Sequence, residues 1–313
     1  MKKTISRIYN KIVLASPKVE VMLRKMYWHN IDTFSTLSPY KDNRIDRNEE
    51  LHFEDVLDFL SKNGVGESSN IVVHSSYGNL KPISLTPKDV IQKLIEFIGK
   101  GGTLAMPVIR RFKEDTLSLT DHLEDKIQEI VCTYDVKNTA VTSGILSTTL
   151  MRLPDSITSK FPLNPLTAFG PLAKHMMENN LEGELPSPHG PNSSWKFCAD
   201  HDAFVIYLGV DFGHHLTMQH VAAECNPNWD IEDFYLERKF KIIDETTSIT
   251  KVIKERRLKW TMFLAEKNVR KELLEEGIVK RTTINDAPVC VLKANDLISF
   301  YNNYKEKYYP YFI

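Results

Sequence analysis

The side chains best equipped for chemistry in this chain lie close together. His214, His215, His220 and Glu224 fall within eleven positions, with Asp211 and Thr217 beside them. Histidine has the unperturbed pKa nearest neutral pH, so it can take a proton and give it back. His220 and Glu224 are four residues apart. On a helix such a pair shares one face, and the carboxylate can orient the imidazole or stabilise its charged form. Imidazole and carboxylate also ligate zinc, so a metal-dependent hydrolase built on His214, His215, His220 and Glu224 is a second reading. The spacing matches no HExxH pattern and adjacent histidines point apart, which favours proton transfer. Metal content and chelator sensitivity separate the two.

These groups need a scaffold. Phe204 to Leu208 is an apolar run closed by Gly209, which predicts a buried strand. A polar turn follows, and a helix is expected from about Thr217, with Thr217 as its cap and His220 in its first turn. The carboxyl end of a strand beside a helix start is where open α/β sheets place their chemistry. Upstream, Ile71–Val73 predicts another strand, running into His74-Ser75-Ser76-Tyr77-Gly78, a turn rich in hydroxyl and N–H donors. Thr86 and Pro87 open a helix over 88–98, and Gly101-Gly102 leads into a strand at Thr103–Met106 stopped by Pro107. Strand, helix and strand at this spacing make a βαβ unit.

Further helices are expected over 53–62, after Thr142-Ser143-Gly144, over 171–180, over the charged stretch 251–277 and over 296–305. Strand character is expected over 234–243. Ser143 at a helix start is placed to meet phosphate or a thioester oxygen. The stretch 110–131 reads as charged loop, and 184–195 as a proline-rich loop ending in Ser193, Ser194 and Trp195.

Composition narrows the class. The chain has 313 residues, 42% hydrophobic and 26% charged, with a net charge of -1, which suits a soluble globular protein and not a dedicated nucleic-acid binder. No apolar run is long enough to span a membrane, and the basic start is too interrupted for a secretory signal. Cys132, Cys198, Cys225 and Cys290 form no CxxC pair, so reduced thiols and a cytoplasmic location are expected. Residues 1–30 carry seven Lys or Arg against Glu20 alone, with Ile5, Ile8, Ile12 and Val13 at helical spacing. That segment is expected to be a helical arm docking on the body or a partner subunit, or making weak contact with a membrane surface. Residues 31–50 read as a linker.

Six blocks in order then carry a resemblance: HSSYGNL (74–80), GGTLAMP (101–107), TSGILSTTLMRLP (142–154), FPLNPLTAFGPLA (161–173), GPNSSW (190–195) and the YLGV, Thr, His, Glu series of 207–224. From about residue 50 to 313 the chain resembles the aminoglycoside 3-N-acetyltransferase family. The resemblance implies an acetyl-CoA-dependent N-acetyltransferase acting on amino sugars, aminoglycoside antibiotics included, and a homodimer. It also implies an α/β fold unlike GNAT: a mixed, largely parallel central sheet flanked by helices. The division expected is an arm and linker over 1–48 and an acetyltransferase domain over 49–313. Two departures stand out. Phe161-Pro162 replaces the family's His-Pro pair, and the helix carboxylate sits at Glu224 where the family has it one residue earlier, at the position of Ala223.

An amine attacking a thioester must lose a proton, because an ammonium has no lone pair to donate. His220 is therefore expected to be the general base, with Glu224 orienting it or binding the amine. Asp211 and Thr217 are expected to hold the acceptor. Ser75, Ser76, Tyr77, Thr142, Ser143 and Ser193 are expected to bind acetyl-CoA and to supply donors to the carbonyl oxygen. No metal is expected. A nucleotide-linked amino sugar of surface-glycan biosynthesis is preferred over an aminoglycoside, whose several charges call for an acidic pocket. A non-catalytic protein docked at the membrane through residues 1–30 is a third reading, favoured by vesicle binding without CoA binding.

Overall fold

The computed structural model describes residues 10–31, 33, 49–215 and 217–312, apart from the side chains of His214 and His215. Ile5, Ile8 and most of the expected linker lie outside the described residues.

Among the described residues, seven strands form the main sheet, in the order β4-β5-β2-β1-β6-β10-β9. They are β1 (Asn70–Ser75), β2 (Thr103–Pro107), β4 (Ile157–Thr158), β5 (Leu166–Phe169), β6 (Phe204–Leu208), β9 (Lys280–Ile284) and β10 (Ala287–Lys293). A second sheet has the order β3-β7-β8, from β3 (Val131–Asp135), β7 (Tyr235–Ile243) and β8 (Ser248–Arg256). The main sheet is mixed, as expected. Its parallel part is confined to β2-β1-β6, and the pairs on either side are antiparallel.

Both faces of the main sheet are covered, which is why its central strands are continuous apolar runs. Ile71 and Val73 face a core shared with Ile206, Leu208 and the helices Phe53–Lys62, Pro87–Ile98 and Ile145–Met151. Val72, Val205 and Tyr207 face the other core, with Trp195, Val221 and Leu297 from the helices Ser194–Asp200, Met218–Cys225 and Ala294–Asn302. The helix at Pro87 starts as its sequence requires, with a capping box between Thr86 and Asp89.

The expected single helix over 251–277 is absent. The chain instead forms β8, a 3-10 turn at Leu258–Phe263 and the helix Glu266–Glu275. Charge misled the helix reading: β8 pairs with β7 along nine positions, and its polar side chains reflect a strand with little covered surface.

The N-terminal helix Pro17–His29 docks on the body of its own chain. Glu20, only 4% exposed, accepts from the backbone N of Lys267 (2.7 Å) and Asn268 (3.0 Å) and from Asn268 Nδ2 (2.7 Å). These N–H groups belong to the first turn of Glu266–Glu275, so the arm supplies the anion that a helix start favours. Arg24 donates to the Thr261 carbonyl and to Glu266, both at 2.9 Å.

Candidate active site

Three turns follow the carboxyl ends of the three parallel strands. After β1, the backbone N of Ser76 donates to the Leu208 carbonyl at 2.9 Å, tying this turn to the end of β6. After β2, the Ile109 N–H donates to Ser143 Oγ at 3.2 Å, and Thr142 Oγ1 donates to the Ile109 carbonyl at 3.2 Å. Gly144, at φ 100°, backs onto Ser75, whose carbonyl oxygen lies 4.0 Å from where a Cβ would stand. The sequence-predicted donor segments 75–77 and 142–143 thus meet at one edge of the sheet. Ser143 is engaged by Ile109, and Gly144 takes the cap position of Ile145–Met151. The Tyr77 hydroxyl donates to the Leu85 carbonyl at 2.7 Å.

After β6 comes the segment carrying Asp211, Thr217 and His220. The helix Met218–Cys225 forms as expected, but Thr217 has helical backbone angles and makes no side-chain cap bond. His220 lies in the first turn, its backbone N donating to the Thr217 carbonyl at 3.0 Å.

Glu224 is hydrogen-bonded to His189, not to His220. Its Oε1 lies 3.0 Å from His189 Nδ1, and its Oε2 accepts from the His189 backbone N at 3.0 Å. Both side chains are 3% exposed. His189, from the proline-rich loop, was missed in the sequence. Its signal was the Pro188-His189-Gly190 turn just before the GPNSSW block. His220 stands beyond it, with ring centroids 5.1 Å apart. Behind His189 the aromatic series continues through Trp195 (6.0 Å) and His74 (5.9 Å from Trp195) to Tyr207 (5.1 Å from His74). This row of rings links strands β1 and β6 to His220.

His220 borders two cavities. One of about 120 Å³ is lined by Leu163, Asn164, Pro188, His189, His220, Glu224, Glu255 and Arg256. The other, about 370 Å³, also includes Asn164, His220 and Arg256, together with Thr217, Gln219 and Arg24 of the N-terminal helix. Burial pushes the His220 imidazole well below its ordinary pKa, with the Arg256 guanidinium and then His189 adding to the effect. The environment thus favours the neutral form of the ring, which carries a lone pair.

The other expected residues are placed differently. Asp211 is held by Arg270 at 2.5 Å and Arg281 at 3.5 Å, and is not among the described lining residues of either cavity. Thr217 lines the larger cavity. Ser193, buried, caps Ser194–Asp200 by accepting from the Lys196 N–H at 3.0 Å. Phe161 packs into the core of the small sheet with Tyr134 and Phe240. A separate cavity of about 790 Å³ lies between Asp135–Asn138, Met151–Ser156 and Asp244–Glu245, and contains none of these groups. Among the described residues no group of three or more His, Cys, Asp or Glu could hold a metal ion; the His214 and His215 side chains lie outside them. Among the described residues no helix is long and apolar enough to cross a membrane.

Comparison with known proteins agrees with this geometry. The aminoglycoside 3-N-acetyltransferase family model matches residues 72–306. An aminoglycoside N(3)-acetyltransferase IV from Salmonella sp. is 30% identical over 157 residues, 50% of this chain and 52% of that protein, so the match spans about half the relative's length. The crystal structure of aminoglycoside acetyltransferase AAC(3)-IVa, an apoenzyme, superposes with a TM-score of 0.61 at 21% identity, covering 83% of this chain and 88% of that one. That of AAC-IIIb in a binary complex with CoASH gives 0.65 at 18% identity, covering 80% and 95%. Sheet order, the histidine-bearing helix after β6 and the extent of the family match lead to one conclusion: the chain belongs to the aminoglycoside 3-N-acetyltransferase family.

Proposed function

We propose that this protein is an N-acetyltransferase that moves the acetyl group of acetyl-CoA onto the amine of an amino sugar, with His220 as the proton acceptor. The observation that carries the reading is the His220 imidazole on the wall of a cavity of about 370 Å³, on the element that follows the carboxyl end of a parallel strand. The acceptor enters the cavity lined by Thr217, Gln219 and Arg256. Acetyl-CoA, when bound, supplies an activated acyl carbon with a thiolate leaving group. Its extended, amide-bearing arm fits the donor edge made by Ser75, Ser76, Tyr77, Thr142 and Ser143, where the Ser143 hydroxyl keeps its own proton to donate while accepting from Ile109. The amine nitrogen bonds to the acyl carbon, the carbon–sulfur bond breaks, and His220 takes the nitrogen's proton. His189 packs behind His220, and Glu224 fixes His189, so Glu224 acts at one remove from the amine.

A nucleotide-linked amino sugar destined for a surface glycan is the acceptor we favour over an aminoglycoside, in a cytoplasmic setting. Release of CoA thiol, followed across both acceptor classes, tests the activity. Turnover of one class that is lost in His220→Ala supports the reading, and turnover that survives this change at its former rate refutes it. The exposed Ile12, Met22, Met26 and Tyr27 of the arm support the expected homodimer contact. A dimeric mass that becomes monomeric in M22E/M26E agrees with it; an unchanged dimer does not.

A further inference from the structure

We propose that Arg256 binds a phosphate group of the acceptor, at a subsite that Arg24 of the N-terminal helix helps to wall. The acceptor is then a phosphorylated or nucleotide-linked amine and not a polycation. This deepens the preceding reading, since it takes the cavity beside His220 as the acceptor site.

The charges around His220 select against a polycation. Each carboxylate on the cavity walls is already engaged: Glu224 by His189 at 3.0 Å, Glu255 by Arg238 at 2.5 Å, and Glu266 by Arg24 at 2.9 Å. A polycationic amine would find no uncommitted anion there, and would meet a guanidinium. Arg256 is in the opposite condition. It has no ion pair among the described residues, and its Nη1 is buried without a hydrogen-bond partner. Its guanidinium carbon stands 6.0 Å from the ring centroid of the buried Tyr311, an arrangement that holds a planar cation against an aromatic face. A buried donor left unpaired is costly, and an anionic ligand relieves that cost. Arginine's fork suits phosphate oxygens in particular.

Two sources of phosphate are conceivable, the acceptor and CoA. Arg256 shares both cavities with the base, so it lies beside the reacting amine. The phosphates of CoA are separated from its thioester by the whole pantetheine arm. The acceptor is therefore the source.

The test uses the full-length protein with acetyl-CoA and four amines: glucosamine, glucosamine 1-phosphate, UDP-glucosamine and kanamycin. Wild type, Arg256→Gln and Arg256→Lys are compared. The phosphate-bearing amines are expected to have the highest kcat/KM. Arg256→Gln should reduce that preference over glucosamine by roughly tenfold to a hundredfold, and Arg256→Lys should recover part of it. Preference for UDP-glucosamine alone identifies a nucleotide diphosphate; preference for both identifies a sugar phosphate. Faster turnover of kanamycin, an equal loss on every amine, or a loss confined to the KM of acetyl-CoA overturns the proposal. Calorimetry with inorganic pyrophosphate reads the subsite without turnover. Binding to wild type should weaken by roughly tenfold or more in Arg256→Gln, and absence of binding to wild type refutes the subsite. If no amine is acetylated while pyrophosphate binding depends on Arg256, the transfer reading fails and the anion subsite stands.

Discussion

Glu224 is bonded to His189, 3.0 Å from its Nδ1, while His220 stands one ring further on at 5.1 Å between centroids. The carboxylate therefore fixes the position of a supporting imidazole, and its hydrogen bonds go to that residue and not to the proposed base. Replacing Glu224 by alanine orphans two buried donors of His189, at a cost of about 2–5 kcal/mol in urea unfolding. Glu224→Gln keeps one acceptor and should lose less. Equal stability for wild type and Glu224→Ala would show that the pair does not hold the loop.

His220→Ala removes the proposed proton acceptor. Its kcat should fall by roughly a hundred- to ten-thousandfold, with the KM for acetyl-CoA little changed. Steady-state kinetics beside a melting curve separates lost chemistry from lost fold. The fall should exceed that of Glu224→Gln, because only His220 borders the larger cavity.

The pH dependence follows from the environment of the ring. Burial and the Arg256 charge hold His220 well below the ordinary imidazole value, so the neutral base persists as pH drops through about 6.5. The acid limb of kcat/KM should therefore lie below pH 6.5, its ordinary value. Because Arg256 lowers the His220 pKa, Arg256→Gln should move that limb upward. The linked stability has a matching sign. An imidazole whose pKa is depressed on folding is protonated more readily in the unfolded chain, so its contribution is steady above about pH 6.5 and falls as pH drops toward the folded value. A rate profile whose acid limb shifts downward in Arg256→Gln contradicts this.

Glu20 anchors the arm through the first-turn N–H groups of the helix Glu266–Glu275. Glu20→Ala should destabilise the protein by about 1–3 kcal/mol and expose the arm to protease. Limited proteolysis that cuts wild type and variant at the same rate argues against the anchor.

The sequence made the scaffold of the site readable where one local rule settled the matter. Phe204–Leu208 had to be buried, Thr86 and Pro87 had to start a helix, and His220 followed from the element after β6. What it could not show was which imidazole Glu224 would meet. His189 lies 35 residues earlier in a proline-rich loop, and only the packing of that loop against Met218–Cys225 brings it near. Arg256 was hidden for another reason. Residues 251–277 looked helical by charge, yet the partner that makes residues 248–256 a strand is β7. Asp211 shows a third limit: a lone acid near a site reads as a ligand for an ammonium until Arg270 and Arg281 are seen to claim it.

The docking of Glu20 onto residue 267 has a consequence for the growing polypeptide. The two positions are 247 residues apart, so at about 5–20 residues per second the arm waits on the order of tens of seconds for its landing place to be translated. Until then Arg24 has no cavity to wall. A nascent chain halted before residue 258 can already hold β1, β2 and β6, yet the cavity beside His220 closes only once residues 261–269 have been made.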